Sequence, residues 1–317
     1  MVAVLVILDG ASEPPGLAPT SLERARTPVL DQLASEGTLM RLATVGPGLS
    51  PGSEAAIPAL LGWAPPAPVD RAALEAAARD IAVPAGQRAW RIDVRCGGRR
   101  APGAATHRMA TALRCELPGH AVHAIGGHRL LVCGAAPLPA ALARRPALRV
   151  WPDGVLPPRV LGSDTVVVAA PGAAAGAGRL MGATVVVPPG ATGRPDTDLA
   201  AKTSAALDAL RRAGRVVVHV GGPDEAAHER DAAGKVALLE RIDRELLAPL
   251  AAAIRATAAT LTVCPDHGCD PASGEHDGLP VPCLTWPGAT HTADRRLTER
   301  DVVKLPVRPL DRRWEAA

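Results

Sequence analysis

Five short runs of Val, Ile, Leu and Thr, most followed by helix-compatible sequence, constrain this chain more than any other feature. They are Val2 to Leu8, Thr165 to Ala169, Thr184 to Val187, Val216 to Val220 and Thr260 to Cys264. A run that is apolar throughout, without alternation, suits a strand buried on both faces of a parallel sheet. Between and after them, Ala173 to Met181, Asp198 to Arg212 and Gly234 to Ala256 read as helices, the last broken near Pro249. Near the N-terminus, Thr27-Pro28 opens a helix, with Thr as N-cap and Gly37 as the stop. Thr260 to Cys264 reads as the last clear strand. The alternation predicts an α/β fold: a doubly wound, mainly parallel sheet flanked by helices.

The stretch from Ala64 to Leu161 departs from this pattern. It is rich in Pro and Arg and holds only short strand-like runs such as Arg129 to Cys133. The expected organisation is therefore a core of residues 1–63 and 162–317, with a small α+β cap inserted at 64–161. Composition enters at this point. With no Phe, no Tyr and five Trp, the core must be filled by Leu, Val, Ile and Ala. Of 35 basic residues only Lys202, Lys235 and Lys304 are lysines, so a retained lysine carries information.

Several function classes fall away. A formal net charge of +3 gives no electrostatic footprint for a nucleic-acid binder. The longest apolar stretch, Val166 to Val187, is interrupted by Pro171, glycines and Arg179, which excludes a membrane span. The N-terminal run has no positive leader and stops at Asp9-Gly10, so it reads as a first strand and not a signal peptide. The six cysteines form no CxxC pair, which suits reduced thiols in a cytoplasmic protein.

In an open parallel sheet, ligands bind beyond the carboxyl ends of the strands. Asp9 follows the first run. Gly221-Gly222-Pro223-Asp224-Glu225-Ala226-Ala227-His228 follows the fourth. Pro265-Asp266-His267-Gly268 follows the fifth, with His276 ten residues beyond Asp266. Asp224 and His228, four apart, share one face if Asp224 opens a helix. Asp and His together suit Mn²⁺, Zn²⁺ or Mg²⁺ without needing a thiolate, and two such cations can clamp a transferring phosphoryl group. Ser53, in Pro51-Gly52-Ser53-Glu54, precedes a helix-like run from Glu54 to Leu61. Backbone N–H groups at that helix start can hold phosphate oxygens, and a nearby cation would activate the hydroxyl. Singly, each residue has an ordinary use: a turn for Asp9, an N-cap for Ser53, a solvated helix start for Asp224 and His228. Their common position at strand ends makes the pattern.

At these residues the sequence resembles the cofactor-independent phosphoglycerate mutases of the archaeal type, in the alkaline phosphatase superfamily. The matching pieces are Val6 to Gly10, Thr27 to Asp31, Pro51 to Glu54 with Leu60 to Trp63, and Gly190 to Gly193 with Asp196 to Asp198 and Ala201-Lys202. Val218 to Val220 with Asp224 to His228, and Asp266 to Gly268 with Gly274 to His276, complete the set. The resemblance implies two divalent cations, manganese first, with magnesium or zinc as alternatives. One would be held by Asp224, His228 and His276, the other by Asp9, Ser53, Asp266 and His267. Ser53 would carry the phosphate, with Lys202 near it. His219, inside a strand, is expected in the core or supporting a ligand. In the shortened cap, Arg71, Arg91, Asp93 and Arg129 fall where the family grips its substrate, a small phosphorylated carboxylate. The implied activity moves phosphate between the 3- and 2-hydroxyls of glycerate. A phosphatase or phosphonate enzyme with the same core, and a metal-binding homologue without turnover, remain the competing readings. Oligomeric state is not given by the sequence.

Overall fold

The structure is a computed structural model and describes residues 2–16, 18–257, 259–288 and 295–310. In chain order its strands are β1 (Ala3–Leu8), β2 (Thr38–Ala43), β3 (Arg88–Cys96), β4 (Arg99–Arg100), β5 (His120–Ala124), β6 (Arg129–Gly134), β7 (Leu148–Val150) and β8 (Thr165–Val168). They continue with β9 (Thr184–Val186), β10 (Arg215–Val220), β11 (Thr260–Cys264), β12 (Gly268–Asp270), β13 (Glu275–Asp277), β14 (Val281–Trp286) and β15 (Val307–Pro309).

Eight of these form the central sheet, in the order β15-β2-β14-β11-β1-β10-β8-β9. β1 lies between β10 and β11 and pairs with both in parallel. β8 and β9 extend the parallel block. Only β14 runs against the rest, since it is antiparallel to both β11 and β2, and β15 is parallel to β2. The sheet is thus mixed and mainly parallel, and the α/β expectation holds. Alternate residues of β1 serve the two faces: Val4, Val6 and Leu8 join one apolar cluster, Leu5 and Ile7 the other. Both clusters are built mainly from Leu, Val, Ile and Ala, with Met181, Cys264 and Cys283 in the second, Trp286 in the first and Trp63 packed against the second.

The strand assignment needs one correction. Thr260–Cys264 is not the last strand, because β14 and β15 follow it and β2 precedes it in the same sheet. These three are legible only as pairings. β14 carries Pro282, which ordinarily argues against a central strand. The long helix also differs from expectation. It runs Ala232–Ile242, passes through a π turn at Asp243–Leu247, and resumes at Ala248–Arg255. The π turn puts Pro249 in the first turn of the last segment, where no N–H donor is needed, so the proline does not end the helix. The Asp243 carboxylate accepts the Val29 and Leu30 N–H groups at 3.1 and 2.8 Å. It therefore caps the helix Pro28–Glu36, whose Thr27 makes no side-chain cap bond.

Residues 88–150 build a second, smaller sheet in the order β4-β3-β6-β5, with β7 on the other side of β3. All its pairings are antiparallel. The helix Gly103–Glu116 covers it through Ala110 and Leu113. The helix Arg71–Ala78 joins the two sheets, contributing Leu74 and Ala78 to the core and Ala72 and Ala76 to a cluster with Leu131 of β6.

Candidate metal centre and active site

Parallel pairing of β1 with β10 and β11 delivers three loops to one edge of the sheet. Leu8 is level with Val220, and Ile7 with Cys264. Asp9, the helix Gly222–His228 and Pro265-Asp266-His267 therefore start side by side. Gly10 makes the close approach possible. Its φ is +60°, and a Cβ there would sit 2.6 Å from Asp224 Oδ1, so both backbone and space demand glycine.

The candidate ligand residues named from the sequence come together. Asp224 places Oδ1 3.1 Å from His276 Nε2 and Oδ2 3.2 Å from His228 Nε2. The two Nε2 atoms are 2.8 Å apart. Ser53, first residue of the helix Ser53–Leu60, donates from Oγ to Asp9 Oδ1 at 3.0 Å and lies 3.3 Å from His267 Nε2. His267 Nε2 is 3.4 Å from Asp9 Oδ1 and 3.6 Å from Asp266 Oδ2. Donor atoms of Asp9, Asp224 and His267 lie within 4.8 Å of one another, which makes the two groups one continuous site.

The histidine orientation is informative. Each Nδ1 meets a backbone carbonyl: Gly274 for His228 at 2.8 Å, Gly268 for His267 at 3.1 Å, Pro51 for His276 at 3.1 Å. A carbonyl only accepts, so each Nδ1 carries a hydrogen and each Nε2 is turned into the cluster. Metal-binding histidines are oriented in this way. Asp266 is similar. Its Oδ1 accepts from the Gly10 and His267 N–H groups, both at 3.0 Å, while Oδ2 is buried with no hydrogen-bond partner.

The titration behaviour follows from this crowding. Burial and the neighbouring charge of Asp9 push the Asp266 carboxyl up to about 7. Burial pulls His267 down, but the Asp266 charge and the Asp9 hydrogen bond outweigh it and raise the imidazole well above its ordinary value. His228 is raised in the same manner, its Asp224 hydrogen bond overcoming burial. Asp9 is pushed up by burial and by Asp224, yet the hydrogen bonds from His219 and His267 win and hold it below the usual carboxylate range. The field at the cluster favours positive charge. Nitrogen donors, carboxylates and an orphan carboxylate oxygen fit divalent cations.

His219, on β10, is not among the clustered donors. Its Nε2 donates to Asp9 Oδ2 at 3.0 Å, so it orients that carboxylate. Lys202, on the helix Leu199–Leu210, is fully buried and donates to the His219 carbonyl at 3.0 Å. It reaches the cluster through His219, and burial lowers its ammonium to about 8. Glu225 pairs with Arg100 of β4 at 3.3 Å.

The cap candidates form one network. Arg71 is ion-paired with Glu54, next to Ser53, and stacks 3.8 Å above the Trp151 ring. Arg91 bonds Glu75 at 2.7 Å and Asp93 at 2.9 Å. Asp93 accepts from Trp151 Nε1 at 2.7 Å. Arg129 lies 3.8 Å from Glu75, and Arg79 pairs with the same carboxylate. Glu75, buried on the helix Arg71–Ala78, is the hub, and the sequence did not single it out.

A model of the metalloenzyme superfamily matches residues 1–303. Relatives called 2,3-bisphosphoglycerate-independent phosphoglycerate mutase include one from Methanopyrus kandleri, 30% identical over 87% of this chain and 83% of the relative. Another, from Archaeoglobus fulgidus, is 29% identical over 90% of this chain and 88% of the relative. The chain belongs to the metalloenzyme superfamily and, within it, to the family of these cofactor-independent mutases. Among solved structures, a protein from Pyrococcus horikoshii superposes with a TM-score of 0.78 over 97% of this chain and 93% of that one, at 22% identity. The cofactor-independent phosphoglycerate mutase of Thermoplasma acidophilum gives 0.58 over 98% and 97%, at 16% identity. Both likenesses concern the fold.

Proposed function

We propose that this protein is a cofactor-independent phosphoglycerate mutase that moves phosphate between the 3- and 2-hydroxyls of glycerate through a phosphoserine at Ser53. The observation that carries the reading is Ser53 Oγ, 3.0 Å from Asp9 and 3.3 Å from His267, at the rim of the histidine–carboxylate cluster.

Two divalent cations would be held, one by Asp224, His228 and His276, the other by Asp9, Asp266, His267 and Ser53. When bound, they supply positive charge to the transferring phosphoryl oxygens and to the serine oxygen. Manganese or magnesium suits the oxygen-rich second set. Ser53 Oγ attacks phosphorus, and its hydroxyl proton, held toward Asp9 Oδ1, passes to solvent. The bond from phosphorus to the C3 oxygen breaks, and that oxygen takes up a proton from solvent as glycerate forms. Glycerate then turns, and its 2-hydroxyl attacks the phosphoserine, losing a proton and returning Ser53 to its starting state. His219 and Lys202 hold Asp9 in place throughout. Residues 64–161 act as a cap over the substrate, and Arg71, Arg91 and Arg129, oriented by Asp93 and Glu75, recognise its carboxylate. The six free thiols support a reducing, cytoplasmic setting.

Full-length protein with Mn²⁺ and 3-phosphoglycerate, followed by phosphorus NMR, should give 2-phosphoglycerate without free phosphate. Ser53→Ala should give neither. Free phosphate without isomer from the wild type would make it a hydrolase. No conversion of any kind would overturn phosphotransfer.

A further inference from the structure

The cation position at Asp224, His228 and His276 has a fourth candidate donor, Cys269. Donor atoms of these three residues and the Cys269 Sγ lie within 4.8 Å of one another. A tetrahedral cation with bonds of about 2.0–2.3 Å separates its donors by roughly 3.3–3.8 Å, so small adjustments bring all four into range. The arrangement is built in. β12 pairs with β13 so that Cys269 is directly opposite His276, and cross-strand partners project to the same face. The Cys269 backbone is tied on both sides. Its N–H donates to the Ser12 carbonyl at 2.9 Å, and its carbonyl accepts from Lys235 Nζ at 2.8 Å. Lys235 is itself fully buried and ion-paired with Glu13 at 2.9 Å. One of three lysines in the chain is thus spent on positioning this segment. The thiol is completely buried, aimed at two imidazoles and a carboxylate.

We propose that Cys269 is a thiolate ligand of the Asp224–His228–His276 cation, and that this position accordingly takes zinc or cobalt in preference to manganese or magnesium. The inference rests on the reading of the cluster as a metal centre and goes beyond it. A thiolate selects softer cations, while the Asp9–Asp266–His267–Ser53 position, richer in oxygen, suits harder ones. The thiol proton passes to solvent as the cation binds. The two positions therefore differ in metal, and the protein holds a mixed pair when both kinds are supplied.

The test is a titration of the metal-free full-length protein with Co²⁺, followed by absorption spectroscopy. Wild type should develop visible cobalt bands together with a near-ultraviolet thiolate-to-cobalt charge-transfer band. Cys269→Ser should keep visible bands and lose the charge-transfer band. Its zinc affinity should fall at least about 10-fold, the loss typical of even an outer-sphere partner, with manganese affinity at the other position unchanged. Circular dichroism of the metal-free variant checks its fold. Zinc X-ray absorption on the wild type adds a readout free of any substitution, one sulfur scatterer at about 2.3 Å. Visible bands without a charge-transfer band, or no sulfur around zinc, would overturn the thiolate and leave the metal centre standing. No cobalt bound at all would overturn both.

Discussion

Replacing Glu75 by Gln should destabilise the protein severely, and the structure says by how much. Glu75 is buried, with 3% of its surface exposed. Its carboxylate faces Arg91 at 2.7 Å, Arg129 at 3.8 Å and the Arg79 guanidinium. Burial pushes this carboxyl up, but the charges of Arg91, Arg129 and Arg79 outweigh burial and hold it below its ordinary range. Removing one member of a buried ion pair costs about 3–5 kcal/mol, because the partner is left buried and uncompensated. Arg91 keeps Asp93 at 2.9 Å. Arg79 loses its one carboxylate partner among the described residues and keeps neutral acceptors, including the backbone carbonyls of Glu75, Ile125 and Pro171. A loss of about 4 kcal/mol is therefore expected. For 317 residues, an unfolding entropy of about 2.1 cal/mol/K per residue gives about 0.7 kcal/mol per degree, so the midpoint should fall about 6 °C in calorimetry. The sign with pH follows. A depressed folded pKa contributes stability above the unfolded value near 4.3, lost as pH falls through the folded one, and the variant should lack this acid limb. Glu116→Gln, which removes the exposed pair with Arg145, should leave the midpoint unchanged. A Glu75→Gln midpoint within about 1 °C of wild type would refute the reasoning.

Three further outcomes follow from the site. Gly10→Ala forces a side chain into a left-handed backbone and against the Asp224 carboxylate; it should cost about 2–4 kcal/mol and weaken Mn²⁺ binding in calorimetry. Lys202 has a folded pKa of about 8 against an ordinary 10.5, so its burial is unfavourable while charged. Wild-type stability should carry a rising contribution between pH of about 8 and 10.5, worth about 3 kcal/mol, and denaturant titrations of Lys202→Met should lack it. Ser53→Ala should lower turnover of 3-phosphoglycerate about 10³-fold or more in a coupled assay, with the folded state retained by circular dichroism.

What could be read from the sequence divides along a physical line. β1, β8, β10 and β11 were legible because a strand buried on both faces is apolar throughout, and their ends named Asp9, Asp224, His228, Asp266 and His267 directly. β2 and β14 were not, since their mixed composition acquires meaning only when β14 inserts antiparallel between β11 and β2. The Pro249 break was misplaced because a π turn upstream absorbs the proline. His219 carried a usable signal, the one polar residue within the apolar part of β10. Cys269 carried none, as its approach to His276 depends on the β12–β13 pairing. The cap residues were the least legible. Among 32 arginines, nothing in composition separates Arg91 from its neighbours, and it is the buried Glu75 carboxylate that selects Arg79, Arg91 and Arg129 in space.

The most direct measurement is anomalous diffraction from a crystal soaked in manganese. Two peaks are expected, one among Asp224, His228 and His276 and one among Asp9, Asp266 and His267, with Ser53 Oγ beside the second. Absence of density at both positions, or a serine hydroxyl turned away from an occupied second one, would contradict the account.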